Sequence, residues 1–344
     1  MMAHVLRVAV HPDVAAGAPR SGHGRVWRRV LAELEGRVRL DVRPSGRRLA
    51  RRPDVWLADG HRPLPAVAEP LVAQVHEPPP RDPAARALLD PAFLAGLERA
   101  VAATVGRADV VITPSAFAAG ELRAAYGPAG ERVRHALHGV DADRFRPGLA
   151  GGRERIGAPY VAYVGVLHPR KNLGALREAM ARLIARGAPH SLAVVWSPPA
   201  DRADPAALVR DALAELPGAP GRLVALRDLD DEALAAVLAG ADAFCLPSLS
   251  EGFGLPALEA MACGAPVVAA ARGALPEVVG EAGLLVEPTA DAFEAALDRV
   301  LTDGRLARDL RERGRRRALE LPWSRTADGW VAALEHAATT VRAP

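Results

Sequence analysis

Short, predominantly apolar runs, several of them apolar at every position, recur along the chain, separated by longer stretches of helical period. A fully apolar run suits a strand covered on both faces, and the stretch between two such runs is the crossover that parallel strands require. The pattern leaves little room for anything but an α/β architecture, a parallel sheet with helices on both faces. In the first half the strand candidates are Val5–Val10, Val55–Leu57, Leu71–Val75, Val110–Thr113 and Val133–Leu137. Ser21-Gly22-His23-Gly24 leads into a helix expected over Arg25–Leu34, and a longer helix is expected over Pro91–Val105. Proline and three glycines in the stretch from Arg146 to Gly152 break both periods and mark a linker. The alternation then restarts with strands at Tyr160–Val164, Ser191–Trp196, Leu223–Leu226, Ala243–Leu246, Val267–Ala269 and Leu284–Val286, and a helix over Leu173–Arg186. A length of 344 residues also exceeds what one core usually supports. The expectation is two doubly wound units, residues 1–147 and 148–321, followed by a terminal helix over 322–344. Two such units are expected to face each other across a cleft, with ligands outside the carboxyl ends of the strands.

Composition narrows the function. No apolar run is long enough to span a bilayer and no leader pattern opens the chain, so a cytoplasmic location is expected. Two cysteines, Cys245 and Cys263, are too few for a disulfide framework and read as buried thiols. The formal charge is only +3, yet eleven arginines fall between Arg20 and Arg52 against Glu33, Glu35 and Asp41. That stretch is a solvated arginine-rich face or a contact for an anionic partner such as an inner membrane surface. No nucleic-acid motif accompanies it, and no nucleic-acid partner is expected.

Lys171 is the only lysine in the chain and Asn172 the only asparagine. A compact ammonium cannot be exchanged freely for a planar guanidinium, so Lys171 marks a candidate anion site. Asn172 is expected to cap the helix beginning at Leu173, a role open to serine or aspartate as well. The segment from Ser250 to Ala262 follows an apolar run and opens a helix, with Pro256 suited to its first turn. Its glycines leave bare amides ahead of a helix start, a favourable place for a phosphate or sugar oxygen. Glu251 and Glu259 within it admit three readings: the acid and base of a glycosidase, two binders of sugar hydroxyls, or a capped helix with Glu259 solvated. Asp230 and Asp231 are expected to open a helix and not to hold a metal. A serine nucleophile elbow and a phosphate loop of the G-x-x-x-x-G-K-[ST] type are both absent.

The segment from Glu251 to Glu259, continuing through Cys263-Gly264-Ala265-Pro266 and Leu275-Pro276-Glu277, resembles the E-x7-E signature of retaining family-4 glycosyltransferases with the GT-B fold. Gly165-Val166 through Pro169-Arg170-Lys171-Asn172 resembles that family's basic donor-phosphate motif. His138-Gly139-Val140-Asp141 resembles the end of its first domain, and Pro322-Trp323-Ser324 the start of the helix that crosses back onto it. The likeness is strong in the second half and loose in the first. It implies that Lys171, with Arg170, neutralises the donor diphosphate, that Glu251 binds a sugar hydroxyl and that Glu259 binds the ribose diol. It further implies donor contacts from Gly252, Phe253, Gly254, Leu255 and Arg227, a diphosphate contact from the glycine loop Gly22 and Gly24, and a sugar contact from His76. Val166 stands where the family often carries arginine, Trp196 and Arg227 where it commonly has glycine, and His138 where asparagine is common.

The function implied is a retaining, metal-independent hexosyltransferase. It would move a sugar, mannose-like by the form Pro169-Arg170-Lys171-Asn172, from a nucleoside diphosphate sugar to an acceptor hydroxyl. The setting would be surface polysaccharide, glycolipid or glycoside synthesis. The sugar nucleotide is a co-substrate and no cofactor is expected. The acceptor would be a saccharide, a lipid-linked saccharide or a small molecule. Two alternatives share the architecture: a sugar-nucleotide epimerase and a non-catalytic binder of sugar nucleotides.

Overall fold

A computed structural model describes residues 5–15, 22–42, 52–157, 159–198 and 205–340. The chain divides into two compact units: Met1–Arg81 with Pro91–Gly139 and Leu321–Pro344, and Asp82–Asp90 with Val140–Glu320.

The first unit is built on six parallel strands: β1 (Arg7–Val10), β2 (Arg39–Val42), β3 (Val55–Asp59), β4 (Leu71–Gln74), β5 (Val110–Thr113) and β6 (Val133–His135). Their spatial order is β2-β1-β3-β4-β5-β6. Buried Leu71, Ala73 and Val75 pack with Val101 and Val105 of the helix Pro91–Arg107 and with Ala119 and Leu122 of the helix Ala116–Tyr126. The helix Trp323–Thr340 packs against β3, β4, β5 and the helix Gly22–Leu34, with the Trp27 and Trp330 rings 5.5 Å apart. Its first turn is knitted to the exit of β6. Thr326 Oγ1 donates to the Leu137 carbonyl at 2.7 Å, and a Cβ on Gly139 would lie 2.3 Å from the Trp323 nitrogen.

The second unit repeats the plan with β7 (Tyr160–Val166), β8 (Ser191–Ser197), β9 (Leu223–Arg227), β10 (Ala243–Leu246), β11 (Val267–Ala270) and β12 (Leu284–Val286). The order is β12-β11-β10-β7-β8-β9, again parallel throughout. Every residue of β10 and β11 is buried, as strands flanked by neighbours and covered on both faces should be. The Cys245 and Cys263 thiols are free and buried, and burial pushes both well up from the usual thiol range.

One strand escaped the sequence reading, and one helix start needs correction. β2 carries no continuous apolar run: Arg39 and Asp41 alternate with Leu40 and Val42, and none of the four is buried, in keeping with the strand's place at a sheet edge. The helix expected from Arg25 begins at Gly22, so Gly22 and Gly24 form its first turn and not a loop ahead of it.

The strand order creates the important geometry in each sheet. From β7 the chain moves outward through β8 and β9 and then returns to place β10 on the other side of β7. The loops leaving β7 and β10 therefore diverge from adjacent strand ends, the switch point at which open α/β sheets bind ligands. In the first unit the loops after β1 and β3 stand in the same relation.

Candidate functional site

The chain leaves β7 through Gly165. A Cβ there would lie 2.6 Å from the Tyr163 hydroxyl, which donates to the Val166 carbonyl. One turn of 3-10 helix, Pro169–Lys171, follows, and His168 caps it by accepting from the Arg170 amide at 3.1 Å. Lys171 closes that turn with its side chain turned inward, only 9% exposed. The loop after β10 carries the partner. Lys171 Nζ donates to Glu251 Oε1 at 2.7 Å, and the Ser248 hydroxyl donates to the same oxygen at 2.7 Å. Glu251 is 7% exposed and Ser248 fully buried. Burial alone would push the Glu251 carboxyl up. The Lys171 and Arg170 cations, with the hydrogen bonds from Lys171 and Ser248, outweigh that and hold it below the usual carboxylate range. The site therefore keeps a fixed carboxylate beside a fixed ammonium, and the ammonium has three protons to share.

More bonds lace the same two loops. The Leu249 amide donates to the Arg170 carbonyl at 2.8 Å, and Arg170 Nη1 donates to the Ser250 carbonyl at 3.2 Å. Asn172 occupies the N-cap position of the helix Leu173–Ala185, but its side chain makes no capping hydrogen bond there and its backbone holds a left-handed φ of 54°. Its Nδ2 donates instead to the carbonyls of Pro247 at 3.2 Å and Pro288 at 3.0 Å.

The rest of the motif forms the start of the helix Leu255–Ala262. Gly254 sits at its N-cap with φ 99°, Leu255 is its first residue and Pro256 follows in the first turn. Gly252 and Phe253 occupy the loop ahead, with Phe253 buried. Glu259 lies on the helix and is 5% exposed, which removes the reading of a solvated surface carboxylate. Asp230 caps the helix Asp231–Gly240 through the Ala233 amide at 2.8 Å. Among the described residues no group of three or more His, Cys, Asp or Glu side chains could hold a metal ion.

Arg227 ends β9 and is paired in register with Trp196 near the end of β8. Its guanidinium lies over the indole at 4.9 Å, a cation–π contact at the carboxyl edge of the sheet. Asp228 follows with φ 58°. Asn172 and Asp228 are the non-glycine residues with positive φ among the described ones, and both lie just beyond the carboxyl ends of this sheet. Such conformations concentrate at functional sites.

In the first unit, His76 follows β4 and is buried, and its Nε2 has no hydrogen-bond partner among the described residues. It belongs to a group of imidazoles. His23, in the first turn of the helix Gly22–Leu34, stacks on His76 at 4.2 Å, and His61 stands 5.9 Å away in a near-parallel plane. His61 Nε2 accepts from the His76 amide at 2.9 Å, so in the neutral ring the proton sits on Nδ1. Desolvation dominates every shift here, reinforced by the neighbouring imidazoles. It lowers His61 to about 4 against the opposing pull of Asp59, His138 to about 3, and His76 well below the usual value. His61, His76 and His138 are therefore neutral rings near pH 7.

Several participants escaped the sequence reading. Ser248 is visible only as a hydroxyl three residues before Glu251. Gly273 has φ 59°, and a Cβ on it would lie 2.6 Å from the Glu251 carbonyl oxygen and 2.7 Å from its nitrogen. The backbone of Glu251 is thus seated against a glycine whose sequence context carries no signal. Gly60 does the same beside Gln74 in the first unit, and His61 follows it.

Two parallel-sheet units, each with its switch point, are the plan of the GT-B fold, which the chain shares with the solved structures below. Residues 4–144 match the family model described as Glycosyltransferase Family 4, and residues 152–317 match that of Glycosyl transferases group 1. The chain belongs to this family of glycosyltransferases. The MMP alpha-(1->4)-mannosyltransferase of Mycolicibacterium hassiacum is 36% identical over 290 residues, 80% of this chain and 67% of that protein. The D-inositol 3-phosphate glycosyltransferase of Rhodococcus jostii is 36% identical over 260 residues, 72% of this chain and 54% of that protein. The chain thus spans between about half and two thirds of these relatives. Among solved structures, a sucrose-phosphate synthase from Thermosynechococcus elongatus aligns with a TM-score of 0.75 at 24% identity, covering 95% of this chain and 98% of that one. HepE of Anabaena, solved in complex with UDP and glucose, aligns with 0.73 at 16% identity, covering 96% and 99%. At that distance the likeness is one of fold. Among the described residues no helix is long and apolar enough to cross a membrane.

Proposed function

We propose that the chain is a retaining, metal-independent hexosyltransferase that carries a sugar from a nucleoside diphosphate to an acceptor hydroxyl. The observation that supports this most directly is the buried group of Lys171, Glu251 and Ser248 at the β7/β10 switch point, set beside the glycine-led start of the helix Leu255–Ala262. As the bond from sugar to diphosphate breaks, negative charge grows on the leaving group. A fixed ammonium and bare helix-start amides favour that transition state over the ground state. Lys171, reinforced by Arg170, is the cation the phosphates would meet. Glu251, held ionised, would accept a hydrogen bond from a sugar hydroxyl, and Glu259 from the ribose diol. The acceptor would attack the face the diphosphate leaves, with a phosphate oxygen taking its proton, so no protein base is required. The relative named a mannosyltransferase favours a mannose-like sugar.

The test is titration of the purified protein with GDP, UDP and dTDP sugars, repeated with Lys171→Ala and Glu259→Ala. Loss of one charge-stabilising donor should lower turnover by about 100- to 1000-fold. Nucleotide binding undiminished in both variants would refute the assignment.

A further inference from the structure

We propose that Asn172 is a positioning residue for Lys171 and Glu251, a clamp that holds the exits of three strands together. The inference rests on the donor-site reading above and adds to it a residue with no direct contact with the donor. Two independent demands meet at this position. The backbone turns from the Pro169–Lys171 turn into the helix Leu173–Ala185 through φ 54°, a conformation open in practice to glycine, asparagine and aspartate. The side chain donates to two carbonyl oxygens, those of Pro247 and Pro288, the first on a buried residue. Glycine meets the first demand only. Aspartate meets the first and opposes the second, since its carboxylate would be aimed at two acceptors. Serine and alanine are disfavoured in the left-handed region. Asparagine alone of the 20 residues combines left-handed tolerance with a short two-proton amide, and this is the only asparagine in the chain.

The clamp lies where it can set the donor site. Pro247 ends the β10 strand region and precedes Ser248, whose hydroxyl orients Glu251. Pro288 precedes Thr289, which caps the helix Ala290–Thr302. Asn172 is covalently next to Lys171. One amide therefore joins the β7 exit that carries the cation to the β10 exit that carries the carboxylate, and anchors both to the β12 exit. The Leu249 to Arg170 backbone bond runs beside it and reports whether the seam is closed.

The experiment compares Asn172→Gly with Asn172→Asp in the full chain by two readouts. The first is affinity for UDP and GDP, with kcat and donor KM. The second is hydrogen–deuterium exchange at Leu249 without ligand, referenced to the β11 amides. Asn172→Gly should weaken nucleotide binding by roughly 3- to 10-fold and Asn172→Asp by about a further 10-fold. Leu249 exchange should rise in the same order while β11 stays protected. A residue needed only for the turn would leave Asn172→Gly with the nucleotide affinity and Leu249 exchange of the unaltered protein, because glycine enters the left-handed region most readily, and that outcome would overturn the proposal. So would unchanged Leu249 exchange in both variants, or exchange rising equally in β11. If the unaltered protein binds no nucleotide, the donor-site reading falls, while the exchange ranking still decides the clamp.

Discussion

Removing Lys171 should destabilise the second unit in a way that depends on pH, and the dependence can be worked out from the geometry. The Lys171 ammonium and the Glu251 carboxylate, 2.7 Å apart, are 9% and 7% exposed. Lys171→Ala leaves Glu251 buried with only Ser248 and the more distant Arg170 for compensation. Breaking one partner out of a buried pair costs about 3–5 kcal/mol. The carboxylate has an escape, because it can take a proton. In the unaltered protein Glu251 titrates below its unfolded value, so its stabilisation is present above about pH 4.3 and lost as the pH falls through the folded value. In the variant burial acts without the lysine and the sign reverses. The folded form then binds the proton more tightly than the unfolded chain, and the loss shrinks on acidification by up to about 1.4 kcal/mol per pH unit. Equilibrium urea denaturation at pH 7 and pH 5 reads both quantities. The deficit should be several kcal/mol at pH 7 and clearly smaller at pH 5. A companion Lys171→Met with Glu251→Gln should recover most of the stability while remaining inactive, since paired removal of a buried ion pair is often neutral. A deficit below about 1 kcal/mol, or one equal at the two pH values, would refute a buried and mutually dependent pair.

Gly273→Ala should act on Glu251 from the backbone side. A Cβ at 2.6 Å from the Glu251 carbonyl, on a residue with φ 59°, forces the loop outward, at a cost of about 1–3 kcal/mol. Turnover should fall with the urea midpoint, and a fully active variant would show that the loop adapts freely. In the first unit His61, His76 and His138 titrate below the unfolded value near 6.5, so the unfolded chain takes protons that the folded one refuses. Their stabilisation is present above about pH 6.5 and is lost as pH falls toward about 4, at up to about 1.4 kcal/mol per pH unit for each histidine. Urea midpoints measured from pH 7.5 to 5 should fall, less steeply for His61→Gln, and equal slopes for the two proteins would remove His61 from the account.

Much of this molecule is legible locally. Short apolar runs such as Val267–Ala270, bounded by turn residues and separated by helical stretches, suit strands buried on both faces, and the α/β class follows from their alternation with helices. Pro256 and Asp230 mark helix starts because a missing donor and a side-chain acceptor act within one turn. The resemblance of the Glu251 to Glu259 segment to a family signature pointed to the chemistry. β2 was not legible, because an edge strand with alternating charge lacks the signal by which buried strands are found.

What sequence alone determined is most of the strands, the two-fold repetition of the plan and the residue types available for charge stabilisation. Tertiary structure decided which of them meet. Lys171 and Glu251 are 80 positions apart and touch only because the order β10-β7-β8-β9 returns the chain to the first strand of its sheet. Asn172 shows the limit most clearly. Its neighbours in sequence point to a helix cap, but its partners lie 75 and 116 positions away. Propensity acts over one turn of chain, whereas a side-chain amide bonds whatever carbonyls the packed sheet brings within about 3 Å of it.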